Sequence, residues 1–505
     1  MHEIIGLRAP VHSHRGRFDG TAERRQANRV KRVLIVTTLL VLSTAGCTSS
    51  PDEPPDPPRP GEPFTFRVLA TGLADPWEII WGPDGFLWVT EKAGKTVTRV
   101  NPADGSKTTE LTIADAYASE SQDGLLGMAF QPNFGKGSGN NDVYLAYTYD
   151  VSPNGAVDRR TKIVRYTYNP AMNALNNPTD LITGLPASSD HNAGRLLLGP
   201  DQKLYYSIGD QGNNQFERFC NPIQAQDLPT PGDVDARNWT TYVGKILRLN
   251  TDGGIPSDNP MINGVRSHIY SYGHRNPQGL VFGSARRLFS AEHGPKADDE
   301  INLIQAGGNY GWPHVSGFKD DQAYVYANWS ASATPPCSTL RYDSYVSAPS
   351  VSQQREADWG SPDYVEPLKT LYTVANGYNF QDPACGEQSY ICWPSIAPSS
   401  VDFVPANKGG YAPWRNSLLV TSLKNGALYC LRLTQDGGSV QGDITQFFKT
   451  TNRYRDLALS PDYRTVYIVT DSTGRAGPQS GAPTEQLENP GAILEFTVAG
   501  ENATG

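Results

Sequence analysis

Apolar and polar positions in this chain alternate in short runs broken by turns, and one unit recurs along it. An apolar strand leads through a turn bearing Pro, Asp, Gly or Asn into a second apolar strand, the pattern of a β-hairpin. The hairpins are IIWGPDGFLWVTE (79–91), GMAFQPNFGKGSGNNDVYLAYT (127–148), LLLGPDQKLYYSIGD (196–210), GLVFGSARRLFSAEHG (279–294), YAPWRNSLLVTSL (411–423) and LALSPDYRTVYIVTD (457–471). A third strand follows each: KTVTRV (95–100), TKIVRYTY (161–168), GKILRLN (244–250), DEINLI (299–304), ALYCLRL (427–433) and AILEFTV (492–498). Stretches such as FRVLAT (66–71) and DLITGL (180–185) supply outer strands. Six hairpins with six partners predict an all-β, six-bladed β-propeller with long loops over residues 64–500. A β-sandwich or a pair of barrels is the alternative, and the ordered recurrence favours the propeller. Helical periodicity is scarce. In such a fold the long loops gather at one mouth of a central channel, where a ligand sits.

The segment before the repeat reads differently. Arg29, Lys31 and Arg32 precede the apolar run VLIVTTLLVL (33–42), which ends in Ser43-Thr44-Ala45-Gly46-Cys47. The run is too short to span a bilayer stably and has the form of an export signal, residues 1–47. Small residues before Cys47 resemble a bacterial lipoprotein cleavage site, although Thr44 stands where leucine is usual. A proline-rich linker (48–63) then stands the domain off the membrane. The expectation is an exported protein, periplasmic or at the cell surface, tethered through lipidated Cys47. Export implies an oxidising compartment. Cys385 and Cys392 flank GEQSYI, a spacing able to close a short loop. Cys220 and Cys337 lie in polar loop sequence and their pairing stays open, and Cys430, in an apolar strand, reads as a buried free thiol.

Composition adds two bounds. The 505 residues, with 49 Gly, 39 Pro and 10% aromatics, have the turn-rich balance of an all-β protein. A net charge of −9 argues against nucleic acid as the partner.

Candidate chemistry lies in the loops. Asp190-His191 sets a carboxylate beside an imidazole at the mouth of a hairpin, which raises the basicity of a proton-abstracting histidine. Arg275, between His274 and Asn276 and ahead of Gln278, is placed to clamp a carboxylate or stabilise an oxyanion. With Lys424 and the alternate Arg453 and Arg455, it makes four cations on loops of one face and points to a small polyanion. A hard-cation candidate runs from Glu292-His293-Gly294-Pro295 through Asp298-Asp299-Glu300 to Asp320 and Asp321, in Gly-rich sequence that exposes carbonyls. No GxSxG elbow, phosphate loop or dinucleotide fingerprint appears. Residue by residue, the reading reaches an exported propeller with a basic, histidine-bearing pocket and calcium, and stops short of a substrate.

From about Gly72 to Phe496 the chain resembles the soluble pyrroloquinoline quinone (PQQ) glucose dehydrogenases of the glucose/sorbosone dehydrogenase family. The strings that carry the resemblance include DPWEIIWGPDGFLWVTE, SSDHNAGRLLLGPDQKLYYSIGDQG, GHRNPQGL, GPKADDEINLI, GGNYGWPHVSGFKDD and CGEQSYICWPSIAPSS. The resemblance implies His191 as catalytic base, Asp190 as its carboxylate neighbour, and Gln122 and Arg275 near both quinone and sugar. It implies Asn276, Gln278, Lys424, Arg453 and Arg455 as cofactor contacts, which accounts for the cations, since PQQ carries three carboxylates. The carbonyls of Gly294 and Pro295 would hold a calcium that PQQ also binds. Glu300, Asp320 and Glu356, with the carbonyls of Tyr310, Ser316 and Phe318, would form a structural calcium site associated with a homodimer. Tyr390 and Trp393 fall on sugar-contacting aromatics, and Cys385–Cys392 on a disulfide bracing their loop. The implied reaction oxidises an aldose at its anomeric carbon to the lactone and hands electrons to an external acceptor.

The chain departs from the family pattern in three places. Phe216 replaces a leucine against the sugar, Ser395 a threonine, and His293 a glutamine beside the calcium carbonyls. A propeller lactonase and a non-catalytic carbohydrate-binding propeller are the rival readings, and neither has a use for the whole basic set.

Overall fold

Strand after strand is buried over most of its length: every residue of Leu87–Glu91, Ser417–Ser422 and Thr465–Thr470 is out of solvent. Such strands need a neighbour on both faces, and stacking four-stranded sheets radially supplies one. The computed structural model describes residues 63–119, 121–132, 134–135, 141–152, 154–477 and 483–499. The expected export signal, Cys47 and all but the last residue of the linker lie outside the described residues.

Six antiparallel sheets of four strands form the blades. Their inner strands are Pro76–Trp81 (blade 1), Leu125–Phe130 (blade 2), Leu196–Leu198 (blade 3), Pro277–Phe282 (blade 4), Pro398–Val404 (blade 5) and Tyr454–Leu459 (blade 6). Each inner strand neighbours the next, and blade 6 closes back on blade 1. The first strand, Phe64–Ala70, forms the outer edge of blade 6 by pairing with Ile493–Val498, with Phe64 opposite Val498. The two ends of the propeller are thus locked in one sheet. Apolar side chains cluster between successive blades around the whole ring, for example Trp88, Met128 and Leu145 between blades 1 and 2, and Leu69, Ile79 and Val469 between blades 6 and 1. Among the described residues the only α-helix is Pro231–Asp235, capped by Thr230.

The six-bladed fold and all six expected third strands are present. One hairpin differs. In 411–423 only Ser417–Ser422 is a strand, and its inner partner is Pro398–Val404. Pro413 cannot donate to a ladder, and Trp414 is buried in the core between blades 5 and 6. The inner strand PSSVDFV was hidden by its serines and aspartate, the polar residues of a strand that borders the channel.

Candidate active site

Strands of a hairpin run antiparallel, so the segment entering each inner strand and the segment leaving its partner emerge at the same end of the channel. The loops that carry Gln122, His191, Arg275, Gly294, Trp393, Lys424 and Arg453 are of these two kinds, whereas Asp320 and Glu356 lie on the connection between the third and fourth strands of blade 4. The loop 188–195, which enters blade 3, carries His191. Backbone strain concentrates here: His191, Ala193, Gln211 and Phe216 all take left-handed φ, at 44°, 52°, 66° and 44°. Each such residue costs about 1–3 kcal/mol and persists only when its surroundings over-determine it. Asn192 does much of this, accepting from Ser188 N at 2.9 Å and donating to Ser188 O and Gln122 O at 2.7 and 3.0 Å. Ala193 N donates to Asn276 Oδ1 at 3.1 Å. Two glycines of the facing SIGDQG turn let the loop settle: a Cβ on Gly209 would lie 2.1 Å from His191 O, and one on Gly212 2.6 Å from Asp190 Oδ2.

The result aims the imidazole. His191 Nδ1 lies 2.6 Å from Asp210 Oδ1, and Asp210 Oδ2 accepts from Trp312 Nε1 at 2.8 Å. An ionised carboxylate only accepts, so Nδ1 carries the proton and Nε2 presents its lone pair. Burial pulls the Asp210 carboxyl up, but the charge and hydrogen bond of His191, with Arg275 and Gly212 N–H, hold it below the usual carboxylate range. The Nε2 side faces the Gln215 amide nitrogen at 3.5 Å, while Gln215 Oε1 accepts from Arg275 Nη2 at 3.2 Å. One glutamine therefore spans the histidine and the arginine. Asp190 Oδ1 is 3.8 Å from Nε2 and accepts from Gln122 Nε2. It flanks the reactive nitrogen, whereas the orienting carboxylate is Asp210, which sequence adjacency did not suggest.

Arg275 is anchored through its backbone to Glu292, which also accepts from His274 Nδ1 at 2.9 Å. His274, fully buried, accepts from Ser271 Oγ at Nε2, 2.9 Å away, and stacks on Tyr310 at 4.6 Å. The Arg275 guanidinium reaches His293 O and lies over Trp312. The other cations are less free than the sequence implied. Arg453 Nε and Arg455 Nε both donate to Asp471, at 2.9 and 2.8 Å. Arg455 Nη1 also meets Gln278 Oε1 at 2.9 Å. Lys424 donates to Trp393 O and faces Asp299. Burial draws this pair together, the lysine down and the carboxyl up. Neutral His293 is held well below its ordinary range by burial, then by Arg275, His191 and Arg455. Several buried nitrogens end without a partner among the described residues: the donors Arg275 Nε and Asn276 Nδ2, and His293 Nε2.

The expected calcium residues divide into two groups. Gly294 begins a turn so tight that a Cβ there would lie 1.9 Å from Ala297 O, and its N–H donates to Asp299 at 3.0 Å. Farther out, Glu300 and Glu356 accept from consecutive backbone N–H groups, Gly317 at 2.7 Å and Ser316 at 3.0 Å. Phe318 and Asp320 continue that turn, and Asp320 accepts from Gln322 N at 2.9 Å. Burial pushes Glu356 up to about 7, with Asp320 adding like charge. Among the described residues no three His, Cys, Asp or Glu side chains converge as metal ligands.

Around the rim, Phe216 is 48% exposed and meets Tyr342 edge-on at 5.7 Å. Tyr390 and Trp393 lie 6.5 Å apart on the loop that Cys385–Cys392 closes. Cys220 pairs with Cys337, and Cys430 is a buried free thiol.

Fold and mouth together define the class: a six-bladed propeller enzyme with an oriented histidine and buried cations on loops at one end of its channel. The chain belongs to the glucose/sorbosone dehydrogenase family, whose model matches residues 73–348 and 358–477. Quinoprotein glucose dehydrogenase B of Acinetobacter calcoaceticus is 45% identical over 439 residues, covering 86% of this chain and 91% of that protein. An aldose sugar dehydrogenase of Escherichia coli is 31% identical over 271 residues, 51% of this chain and 65% of that one. Among solved structures, the PQQ-bound aldose sugar dehydrogenase of Streptomyces coelicolor superposes with a TM-score of 0.58 at 25% identity, covering 86% of this chain and 97% of its own.

Proposed function

We propose that this chain is a PQQ- and calcium-dependent aldose dehydrogenase that converts the anomeric carbon of glucose or a related sugar to the lactone. The observation that carries the reading is the pairing of an oriented histidine, His191 on Asp210 at 2.6 Å, with buried donors left unsatisfied beside it. The N–H donors Arg275 Nε and Asn276 Nδ2 fit the carboxylates and carbonyls of a planar triacid. Gln278, Lys424, Arg453 and Arg455 would complete its contacts. The carbonyl-rich turn at Gly294 and Pro295 fits a hard cation against it. PQQ, when bound, supplies the two-electron acceptor for hydride from the sugar.

In this reading His191 Nε2 takes the proton of the anomeric hydroxyl, and Asp210 on Nδ1 stabilises the imidazolium that forms. Asp190 and Gln122 accept and donate at the hydroxyls beside it. Arg275, held by Glu292 and braced on Trp312, sets fixed positive charge where oxygen charge develops. Phe216, Tyr390 and Trp393 shape the apolar sides of the sugar site. The two disulfides support export into an oxidising compartment, and the Cys47 tether belongs to the same reading. A homodimer around a calcium at Glu300, Asp320 and Glu356 would leave the mouth open to an external electron acceptor. Incubating the cofactor-free protein with calcium and PQQ, then adding glucose and a redox dye, tests the proposal. Bleaching should require both additions. Bleaching without PQQ, or none with any aldose, overturns it.

A further inference from the structure

The channel also has a far end. All six inner strands border a cavity of about 500 Å³ there, within the range of roughly 300–1,000 Å³ usual for ligand sites. Pro83 and Pro461, in the hairpin turns of blades 1 and 6, line it, and His191, Arg275 and Lys424 do not. The reaction proposed at the mouth therefore makes no use of this space.

Its wall is apolar and its floor is charged. Ile80, Phe130, Leu198, Val281 and Leu459, from five different blades, stay only part-buried on inner strands because the cavity opens beside them. At the floor, Arg195 meets Glu78 at 3.1 Å and Asp456 at 3.0 Å. Asp402 of blade 5 adds a third carboxyl. It accepts from Phe403 N–H at 2.7 Å and forms no ion pair among the described residues. Lys408, the other cation of the lining, is exposed and stands 6.0 Å from the ring of Tyr463. Three carboxyls thus share one guanidinium. Burial pushes the Asp402 carboxyl up to about 7, and Asp456 adds like charge. A carboxyl so placed gains strongly from an incoming cation.

Two features decide which cation. A hard metal ion takes about six to eight oxygen ligands, and among the described residues no three metal-binding side chains converge. It would also leave the apolar wall bare. A protonated amine on an apolar body matches both surfaces, with N–H donors for the carboxylate and hydrocarbon for the wall.

We propose that this far-end cavity is a second binding site, separate from the reaction at the mouth, for a small organic ammonium ion. Its ammonium group donates to Asp402, and its apolar body lies against Ile80, Phe130 and Leu459. All six inner strands line the site, so an occupant held only by the closed ring stabilises that ring.

Phenethylamine and hexylamine serve as probes, with 2-phenylethanol as the neutral counterpart and calcium chloride as the bare cation. On the cofactor-free protein at about pH 8, both amines should raise the melting temperature. By calorimetry, phenethylamine should bind about tenfold or more tighter than the alcohol, the worth of a charge-assisted hydrogen bond. Asp402→Asn keeps an acceptor for Phe403 N–H and should melt near wild type, yet it should erase that difference. Leu459→Trp narrows the cavity and should weaken both ligands. Glucose oxidation by the loaded enzyme should be unchanged in Asp402→Asn. Equal affinity for amine and alcohol overturns the proposal, as does undiminished amine binding in Asp402→Asn or no binding by either amine. Calcium binding that displaces the amine would make this a hard-cation site and overturn it as well.

Discussion

Asp210 is the residue on which the proposed base, His191, depends. With its carboxylate 2.6 Å from His191 Nδ1, it fixes the tautomer and carries the charge that balances an imidazolium. Asp210→Asn keeps the shape but lets the amide donate to Nδ1, which turns the ring's proton toward the mouth. The expected outcome is a loss of about a hundredfold or more in kcat with PQQ binding retained, equal in kind to His191→Ala. Asp190→Ala should cost far less. Stopped-flow reduction of the bound cofactor by glucose checks all three, and near wild-type rates in Asp210→Asn or His191→Ala would remove the base from this site. The folded-state carboxyl of Asp210 sits below its unfolded range, so its contribution to stability is present above the unfolded value and is lost as pH falls through the folded one. The histidine was legible because an Asp-His pair in a turn-rich loop carries its own chemical meaning. Its true partner was not, because left-handed φ at His191 turns the ring away from its chain neighbour toward a turn 19 residues on.

At the level of elements, the mouth is a set of loops held by charges from other loops. Asp471, leaving the second strand of blade 6, fixes both Arg453 and Arg455, and Glu292 fixes Arg275. Alternating arginines were visible in NRYRD, but nothing local to that string points to an aspartate 16 residues after Arg455. Blade 5 failed to show its inner strand for a related reason, since strands bordering the channel carry polar residues where the period-2 pattern expects apolar ones. The loop from 216 to 220 is held to the 329–340 segment by Cys220–Cys337, a crosslink spanning 117 residues of chain. Closing so long a loop restricts the unfolded chain strongly. Replacing both cysteines by serine should therefore destabilise the protein by roughly 2–4 kcal/mol, seen as a lower denaturant midpoint with a steeper slope, since the released unfolded chain exposes more surface. Unchanged stability would mean that the two segments hold together without the crosslink.

Across the whole molecule, one side chain ties the ring together at its axis. Arg195, 4% exposed, rises from the inner strand entry of blade 3 and reaches four other blades. It meets Glu78 of blade 1 at 3.1 Å, Asp456 of blade 6 at 3.0 Å, Gln278 O of blade 4 at 2.9 Å and Ser399 O of blade 5 at 3.2 Å. One buried cation between two buried carboxylates leaves an excess negative charge, and a proton resolves it. That proton belongs on Glu78. Both carboxylates accept from Arg195 and from one backbone N–H, Met128 for Glu78 and Ile79 for Asp456, and burial pushes the Glu78 carboxyl up to about 8. A carboxyl raised in the folded state stabilises fully below its unfolded value, and that stability is lost as pH climbs through the folded one. The melting temperature of the cofactor-free protein should therefore fall between about pH 4.5 and about pH 8, from the unfolded to the folded value of Glu78. Glu78→Gln keeps the shape of the protonated form without the titration, so its melting temperature should stay flatter over the same window. A Glu78→Gln curve parallel to wild type would place the proton elsewhere in the triad. Arg195 ends the loop 188–195 that carries His191, so the chain that presents the histidine is pinned at its C-terminal end to the charge network that closes the propeller.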